Sequence, residues 1–122
     1  MDHHQHVELE AAGLRTFFRI ADIWRLSEAE RAAILNLDEE GLRLAKEQPA
    51  SIKQETLHRL SYVFRIYRAV NTLLPDAHRA AEWMRAPGKV PIHGGRSAIT
   101  IMASGEPNDL QRVTEYLDAE CQ

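Results

Sequence analysis

The segment from residue 52 to residue 74 constrains the fold of this chain more than any other. Apolar residues recur along it at spacings of three and four, which predicts a long α-helix. These residues are Leu57, Leu60, Val63, Phe64, Ile66, Tyr67, Val70, Leu73 and Leu74. Because they spread over more than half of the circumference, the helix must be covered on two sides. We expect the N-terminal helices on one side and, on the other, the C-terminal part or the second subunit of a homodimer.

Shorter helices are predicted in front of this segment. Residues 9–24 have one apolar face at helical spacing. Ser27 and Glu30 stand at the spacing of a capping box, in which each side chain satisfies a free backbone N–H group. After a three-residue turn, Asp38 can cap a further short helix that Pro49 terminates. Two short helices joined by a tight turn, with a longer helix before them, are typical of a helix-turn-helix unit.

The later segments are predicted to be helical as well. Ser51 and Gln54 repeat the capping-box spacing at the start of the long helix. Residues 75–76 begin a helix that ends near Arg85, and a last helix starts at residues 107–108. We therefore expect an all-α fold with a long central helix and a small helical C-terminal part.

Proline and glycine are concentrated in residues 83–105, which read WMRAPGKVPIHGGRSAITIMASG. Residues 86–96 are predicted to form a loop, called the glycine loop below. Ser97 can cap a short helix that reaches Ala103, and Gly105 can supply the left-handed residue that ends it. Such a stretch can be a structural loop, an active-site loop or a surface that binds a partner.

No convincing catalytic set of residues is present in the sequence. The run Gly-Gly-Arg-Ser at residues 94–97 resembles a phosphate-binding turn, but the spacing and the lysine of a P-loop are missing. Ser97 has no histidine and acidic partner at a recognisable spacing. We interpret the run as a structural turn, and we expect neither enzyme activity nor a cofactor.

Residues 1–8 are predicted to be a flexible polar tail that contains a group of histidines. No acidic or cysteine partner stands at ligand spacing beside the group, so we expect no metal site. The histidines are His3, His4 and His6.

Composition restricts the class of protein. The 122 residues, 44% of them hydrophobic, suffice for one modest core, and the net charge of −3 provides no global attraction to nucleic acid or membrane. The single cysteine, Cys121, excludes a disulfide framework and a cysteine zinc site. No apolar run approaches the length of a membrane span, and the N-terminus lacks the plan of a signal peptide. We expect a cytoplasmic protein without a membrane partner.

DNA binding by the predicted helix-turn-helix would place the start of its second helix against phosphates. That start contains Asp38, Glu39 and Glu40, which would repel phosphates, and only Arg43 and Lys46 are positive in this helix. If DNA is bound, a dimer must combine basic residues of both subunits. These residues are Arg15, Arg19, Arg43, Lys46 and Lys53. A scaffold without base readout and a DNA-binding unit therefore both stay open.

Residues 59–118 resemble the toxin-binding domain of the MbcA/ParS/Xre antitoxins, which are partners of RES-domain toxins in bacterial operons. In that family a long helix is followed by Leu-Pro, a helix ending in Trp, a loop with Pro and Gly, a capped short helix, a Gly and a last helix. The matching positions are Leu74, Pro75, Trp83, Pro87, Gly95, Ser97, Gly105, Val113 and Leu117. Residues 14–38 are similar to the Xre-type helix-turn-helix of many members, so the resemblance covers about residues 13 to 119.

The resemblance implies a degenerate Xre-like helix-turn-helix region at residues 9–50 and a toxin-binding domain at residues 51–122. It implies an antitoxin that occludes the active site of a RES-type NAD-degrading toxin, with repression of its own operon as an additional role. The residues assigned to toxin binding are Trp83, Pro87, Gly94, Gly95, Arg96, Ser97 and Gly105. Arg96 is the expected anchor, because its planar guanidinium can meet carboxylates or carbonyls of a partner. Trp83 either packs in the core or contacts the toxin.

The alternative is a small helix-turn-helix repressor whose C-terminal half only dimerises. The helix pattern of residues 9–48 favours this hypothesis, and the acidic second helix opposes it. The two hypotheses are compatible, since an antitoxin of this kind can also bind its operator.

Overall fold

The computed structural model describes the backbone of residues 3–90 and 94–122, and the side chains of these ranges from residue 9 onward. Its helices are α1 (His3–Ile23), α2 (Glu28–Ile34), α3 (Glu39–Glu47), a 3₁₀ turn (Pro49–Ser51), α4 (Gln54–Leu73), α5 (Ala77–Arg85), α6 (Ala98–Met102) and α7 (Asp109–Glu120). These residues contain no strand, so the predicted all-α class is confirmed. None of these helices is long and apolar enough to cross a membrane.

Helix α1 starts at His3, ahead of the predicted start at residue 9. Residues 3–8 therefore belong to a helix, and the predicted tail is correspondingly shorter; residues 1–2 lie outside the described part. The earlier start was missed because this segment is almost wholly polar and lacks the apolar spacing that reveals an amphipathic helix.

Two helices end at a residue in the left-handed conformation. After α1, Arg25 has a φ of 58°, and the N–H group of Leu26 donates to the carbonyl of Ala21 at 2.9 Å. After α2, the same pattern surrounds Asn36, whose φ is 57°. Glycine and asparagine are the residues preferred there. An arginine in this conformation costs roughly 1–2 kcal/mol relative to glycine.

The predicted caps of the two short helices are confirmed. The hydroxyl of Ser27 accepts a hydrogen bond from the Glu30 N–H group at 3.1 Å, and the Glu30 carboxylate accepts one from the Ser27 N–H group at 2.9 Å. The carboxylate of Asp38 accepts from the N–H group of Gly41 at 2.6 Å. Helices α2 and α3 are therefore set on either side of the tight turn, and they pack against each other.

The predicted capping box at the start of α4 is wrong. Ser51 belongs to the 3₁₀ turn, and its hydroxyl donates to the carbonyl of Gln48 at 2.7 Å. The N-cap of α4 is Lys53, whose side chain makes no capping hydrogen bond. Pro49 opens the 3₁₀ turn, because its fixed φ suits a first helical position, and this turn moves the start of α4 beyond Ser51.

Helix α4 is the central helix, as predicted. Its buried residues include Leu60, Val63, Ile66 and Val70. It packs along α7 on one side and against α1 on the other, and it also contacts α5. Helices of the same chain therefore supply the two-sided cover that the sequence requires.

The buried core extends through both regions that the resemblance distinguishes. Phe17 and Trp24 of the first region and Met102 and Leu117 of the second belong to one cluster of buried residues. Contacts of α1 with α4 and of α2 with α6 join the two regions.

Arg59 of α4 links the ends of three other helices. Its Nε donates to the carbonyl of Ile34 at 2.5 Å, and its Nη2 lies 3.5 Å from the carbonyl of Met102. The same nitrogen lies 3.2 Å from a carboxylate oxygen of Asp109, a residue that is only 1% exposed. One guanidinium thus satisfies carbonyls at the ends of α2 and α6 and pairs with a buried charge at the start of α7.

Candidate functional site

The glycine loop follows α5, and Arg85 fixes its first end to the segment between α1 and α2 and to Glu30 of α2. The Nε of Arg85 donates to the carbonyl of Trp24 at 2.8 Å, and its Nη2 donates to the carbonyl of Arg25. The same Nη2 lies 2.9 Å from the carboxylate of Glu30. Sequence reasoning missed this role of Arg85, because its partners are far away along the chain.

The contact with Arg85 also affects the ionisation of Glu30. Partial burial of the carboxylate opposes its charged form, but the hydrogen bonds from Arg85 and from the Ser27 N–H group outweigh this effect. The net result is that the pKa of Glu30 is lowered from its ordinary value of 4.5. The carboxylate of Glu30 therefore stays charged at neutral pH.

The glycine loop is closed by a backbone hydrogen bond across its neck. The N–H group of Gly88 donates to the carbonyl of Gly95 at 2.9 Å. The φ angles are 76° at Gly88, 57° at Gly94 and 84° at Gly95, a region where residues with a Cβ atom are strained. Val90 is completely buried and holds the loop on the core, whereas Gly88, Gly94 and Gly95 are exposed. The predicted loop is therefore a closed, anchored turn with accessible backbone; residues 91–93 lie outside the described part.

The short helix predicted after the loop is confirmed as α6. The hydroxyl of Ser97 accepts from the N–H group of Thr100 at 3.1 Å, and Gly105, with a φ of 75°, follows the end of the helix. Most of α6 is buried, including Ile99 and Ile101. Of the predicted toxin-binding residues, Ser97 and Gly105 thus have structural roles at the two ends of a core helix.

Arg96 lies in a small cluster of charges at the second end of the loop. Its Nη1 is 3.1 Å from one carboxylate oxygen of Glu106, and Arg112 approaches the other oxygen at 3.7 Å. The side chain of Arg96 is 34% exposed. Arg96 therefore braces the second end of the loop against Glu106, which lies just before α7, and its side chain stays partly exposed.

Trp83 and Pro87 lie at the start of the loop. Trp83 is half-buried and packs against the hydrophobic core, while Pro87 is exposed. The packing of Trp83 on the core agrees with the first of the two roles expected of it, and contact with a toxin stays a prediction.

Two of the predicted DNA-binding residues, Arg43 and Lys46, lie beside carboxylates. Arg43 pairs with Glu40 and Glu47 of its own helix, and the hydrogen bond and charge of Glu40, followed by those of Glu47, raise the pKa of Arg43. Lys46 lies 3.8 Å from a carboxylate oxygen of Glu28. Lys53 is exposed at the start of α4. The positive charges of α3 are therefore largely offset by neighbouring carboxylates.

The described side chains contain no group of three His, Cys, Asp or Glu residues able to hold a metal ion. The predicted histidine group of residues 3–6 falls outside these side chains.

The described residues form a small all-helical protein in which the short helices α2 and α3 pack against each other, and a loop with exposed glycines is braced at both ends. No model of a known protein family matches the chain. Over 110 residues it is 34% identical to a protein of Sinorhizobium fredii (strain NBRC 101917 / NGR234), and the match covers 89% of this chain and 84% of the relative. That relative is the uncharacterized protein y4oB, and this chain belongs to the same family.

Proposed function

We propose that this protein is the antitoxin of a type II toxin–antitoxin pair and neutralises a RES-type NAD-degrading toxin in the cytoplasm. The observation that carries the proposal is the glycine loop, an exposed turn closed by the bond between Gly88 and Gly95. In this proposal the loop covers the entrance to the toxin's active site, and the antitoxin itself performs no reaction.

The construction of the loop suits occlusion for an energetic reason. Binding costs free energy for each segment that loses conformational freedom. The glycine loop is already closed at its neck and is held by Val90 in the core and by Arg96 on Glu106. Little freedom remains to be lost at these two ends of the loop on docking, and the absence of Cβ atoms at Gly94 and Gly95 lets a partner approach the backbone closely.

The proposal is tested by co-expression with a RES-domain toxin encoded in the same operon. Growth should be restored, the two proteins should co-purify, and addition of the purified antitoxin should stop NAD consumption by the purified toxin. Continued toxicity together with no co-purification would refute the proposal.

Arg96→Glu is predicted to weaken toxin binding about tenfold, because it places a carboxylate where the cationic anchor stands. The matched control is Arg112→Glu, which touches the same Glu106 carboxylate but lies in α7, outside the loop. Both variants should stay folded, since ion pairs with this exposure contribute less than about 1 kcal/mol. Calorimetric titration of the toxin with each variant measures the difference in affinity between them. If the folded Arg96→Glu protein binds the toxin with unchanged affinity, Arg96 is not part of the binding surface.

Operator binding by a homodimer is the second role we propose. The capped pair of helices α2 and α3 favours it, whereas the pairing of Arg43 with Glu40 and Glu47 weakens the attraction of α3 to phosphates. A mobility shift with the promoter DNA, with and without the toxin, tests this role. Loss of the shift in the double variant Arg43→Ala and Lys46→Ala would favour contact by α3. A monomer in sedimentation at micromolar concentration would contradict the dimer.

A further inference from the structure

Helix α5 carries the glycine loop at its end, and open space separates this helix from the end of α1. Helix α5 packs on α6 and α4. Toward α1 it borders an open groove of about 350 Å³, whose lining comes from residues 23–25, from one face of α5 and from Ala86. Because side chains do not fill this groove, close packing does not hold the end of α5 on this side.

Arg85, the last residue of α5, bridges the groove with polar contacts. Its guanidinium donates to the carbonyls of Trp24 and Arg25 and reaches the carboxylate of Glu30. A planar guanidinium can serve three acceptors at once, which the single ammonium of a lysine does less well. The end of α5 is therefore tied both to the segment after α1 and to the first turn of α2.

One oxygen of Glu30 serves two partners in this bridge. Its Oε1 accepts from the N–H group of Ser27 at 2.9 Å, as part of the capping box of α2, and from Nη2 of Arg85 at 2.9 Å. The side chains of Arg85 and Glu30 are 38% and 29% exposed, so water screens the ion pair only in part. The start of α2 and the start of the glycine loop are thus joined through a single atom.

We propose that Arg85 and Glu30 are positioning residues of the glycine loop: they hold its first end in the conformation that docks on the toxin, without touching the toxin themselves. The inference rests on the proposed antitoxin function and adds to it two residues that act through the loop. Gly88, which closes the neck of the loop on Gly95, follows Arg85 by three residues. Without the bridge, the end of α5 gains freedom that docking must remove again, and the affinity falls.

Glu30→Gln separates the bridge from the helix cap. Glutamine keeps an oxygen that can accept from the N–H group of Ser27, since either residue completes a capping box, but the charge that faces Arg85 is lost. We expect an unchanged melting temperature and an affinity for the toxin that is about threefold lower. Arg85→Gln removes the whole bridge and should lower the affinity about fivefold. The double variant should bind no more weakly than Arg85→Gln, because both changes act on one set of contacts.

Ser27→Ala is the matched control. It removes the hydroxyl that accepts from the N–H group of Glu30 at 3.1 Å, and it leaves the contact of Glu30 with Arg85 in place. The loss of an N-cap lowers stability, so the melting temperature should fall while the affinity for the toxin stays at the wild-type value. If the bridge served stability alone, affinity would follow the melting temperature in all of these variants.

Calorimetric titration of the purified toxin, together with hydrogen exchange of the Gly88 N–H group in the free chain, tests the inference. Weaker binding and faster exchange in Glu30→Gln and Arg85→Gln, with neither change in Ser27→Ala, support it. Weaker binding by Arg85→Gln beside wild-type binding by Glu30→Gln would mean that Arg85 touches the toxin, and the positioning role would be wrong. Wild-type affinity in both variants overturns the inference and leaves the antitoxin function standing. No binding by the wild-type chain overturns both.

Discussion

At the scale of single residues, arginine side chains make the contacts that connect distant parts of the chain. Arg59 donates to the carbonyl of Ile34, the last residue of α2, and Arg85 donates to the carbonyl of Trp24, just after the end of α1. Carbonyls at helix ends lack partners within the helix, and the guanidinium offers several donors in one plane. These arginines therefore cap carbonyl groups at helix ends from positions far away in the sequence.

Arg59→Ala is predicted to lower the free energy of unfolding by about 3 kcal/mol, because it leaves the carboxylate of Asp109 buried without its cation. Arg65→Ala is the control. Arg65 pairs with Asp118, but both side chains are well exposed, so the loss should be less than about 1 kcal/mol. Urea unfolding at neutral pH gives both values, and equal losses would show that burial of Asp109 does not set the contribution of Arg59.

The same contacts mark the limit of what the sequence can predict about the site. Arg59 reaches a carbonyl 25 residues away, and Arg85 reaches one 61 residues away. Periodicity and capping rules describe neighbours within a few residues, so they cannot indicate these partners. The Gly-Gly run and the cap at Ser97 were found in the sequence because their geometry is local, whereas the pairing of Arg96 with Glu106 and the burial of Val90 were not.

At the scale of elements, the helices follow from apolar spacing and caps. The starts of α2 and α3 agree with the sequence because Ser27 and Asp38 satisfy free N–H groups within one turn. The start of α4 does not, because Pro49 opens a 3₁₀ turn that takes up Ser51. The capping rule gave the wrong start for α4 because Pro49 and the spacing of Ser51 and Gln54 are conflicting signals within a few residues.

Two glycine substitutions are predicted to act in opposite directions. Gly95→Ala should lower the free energy of unfolding by about 1 kcal/mol, because the residue must keep a φ of 84° although no atom crowds the new Cβ. Gly13→Ala, in the middle of α1, should raise it by up to about 1 kcal/mol, because alanine favours helix and its Cβ would meet Leu60 at an ordinary 3.9 Å. Thermal unfolding of both variants measures whether each substitution raises or lowers the stability. A stable Gly95→Ala protein would mean that the loop does not depend on its left-handed glycines.

At the scale of the whole molecule, the two regions that the resemblance distinguishes share one core. The buried cluster runs from Phe17 in α1 to Leu117 in α7 without interruption. Elements that bury apolar surface against each other lose this burial together when the chain unfolds. The chain should therefore unfold as one cooperative unit.

The two tryptophans allow this cooperativity to be measured. Trp24 lies in the first region and Trp83 in the second, and single-tryptophan proteins follow from Trp83→Phe and Trp24→Phe respectively. Within each variant, the urea transition followed by tryptophan fluorescence should coincide with the transition followed by circular dichroism. Clearly separated midpoints in either protein would indicate that the regions unfold independently.

The burial of α6 restricts how proteins of this kind can diverge. Ile99, Ile101 and Met102 fill the interior, so changes there disturb the whole molecule, whereas Gly88, Lys89, Gly94 and Gly95 are exposed and Val90 is buried as an anchor. Relatives of this chain can therefore differ at these exposed positions and keep the hydrophobic framework, provided that the valine and the positions with positive φ are retained.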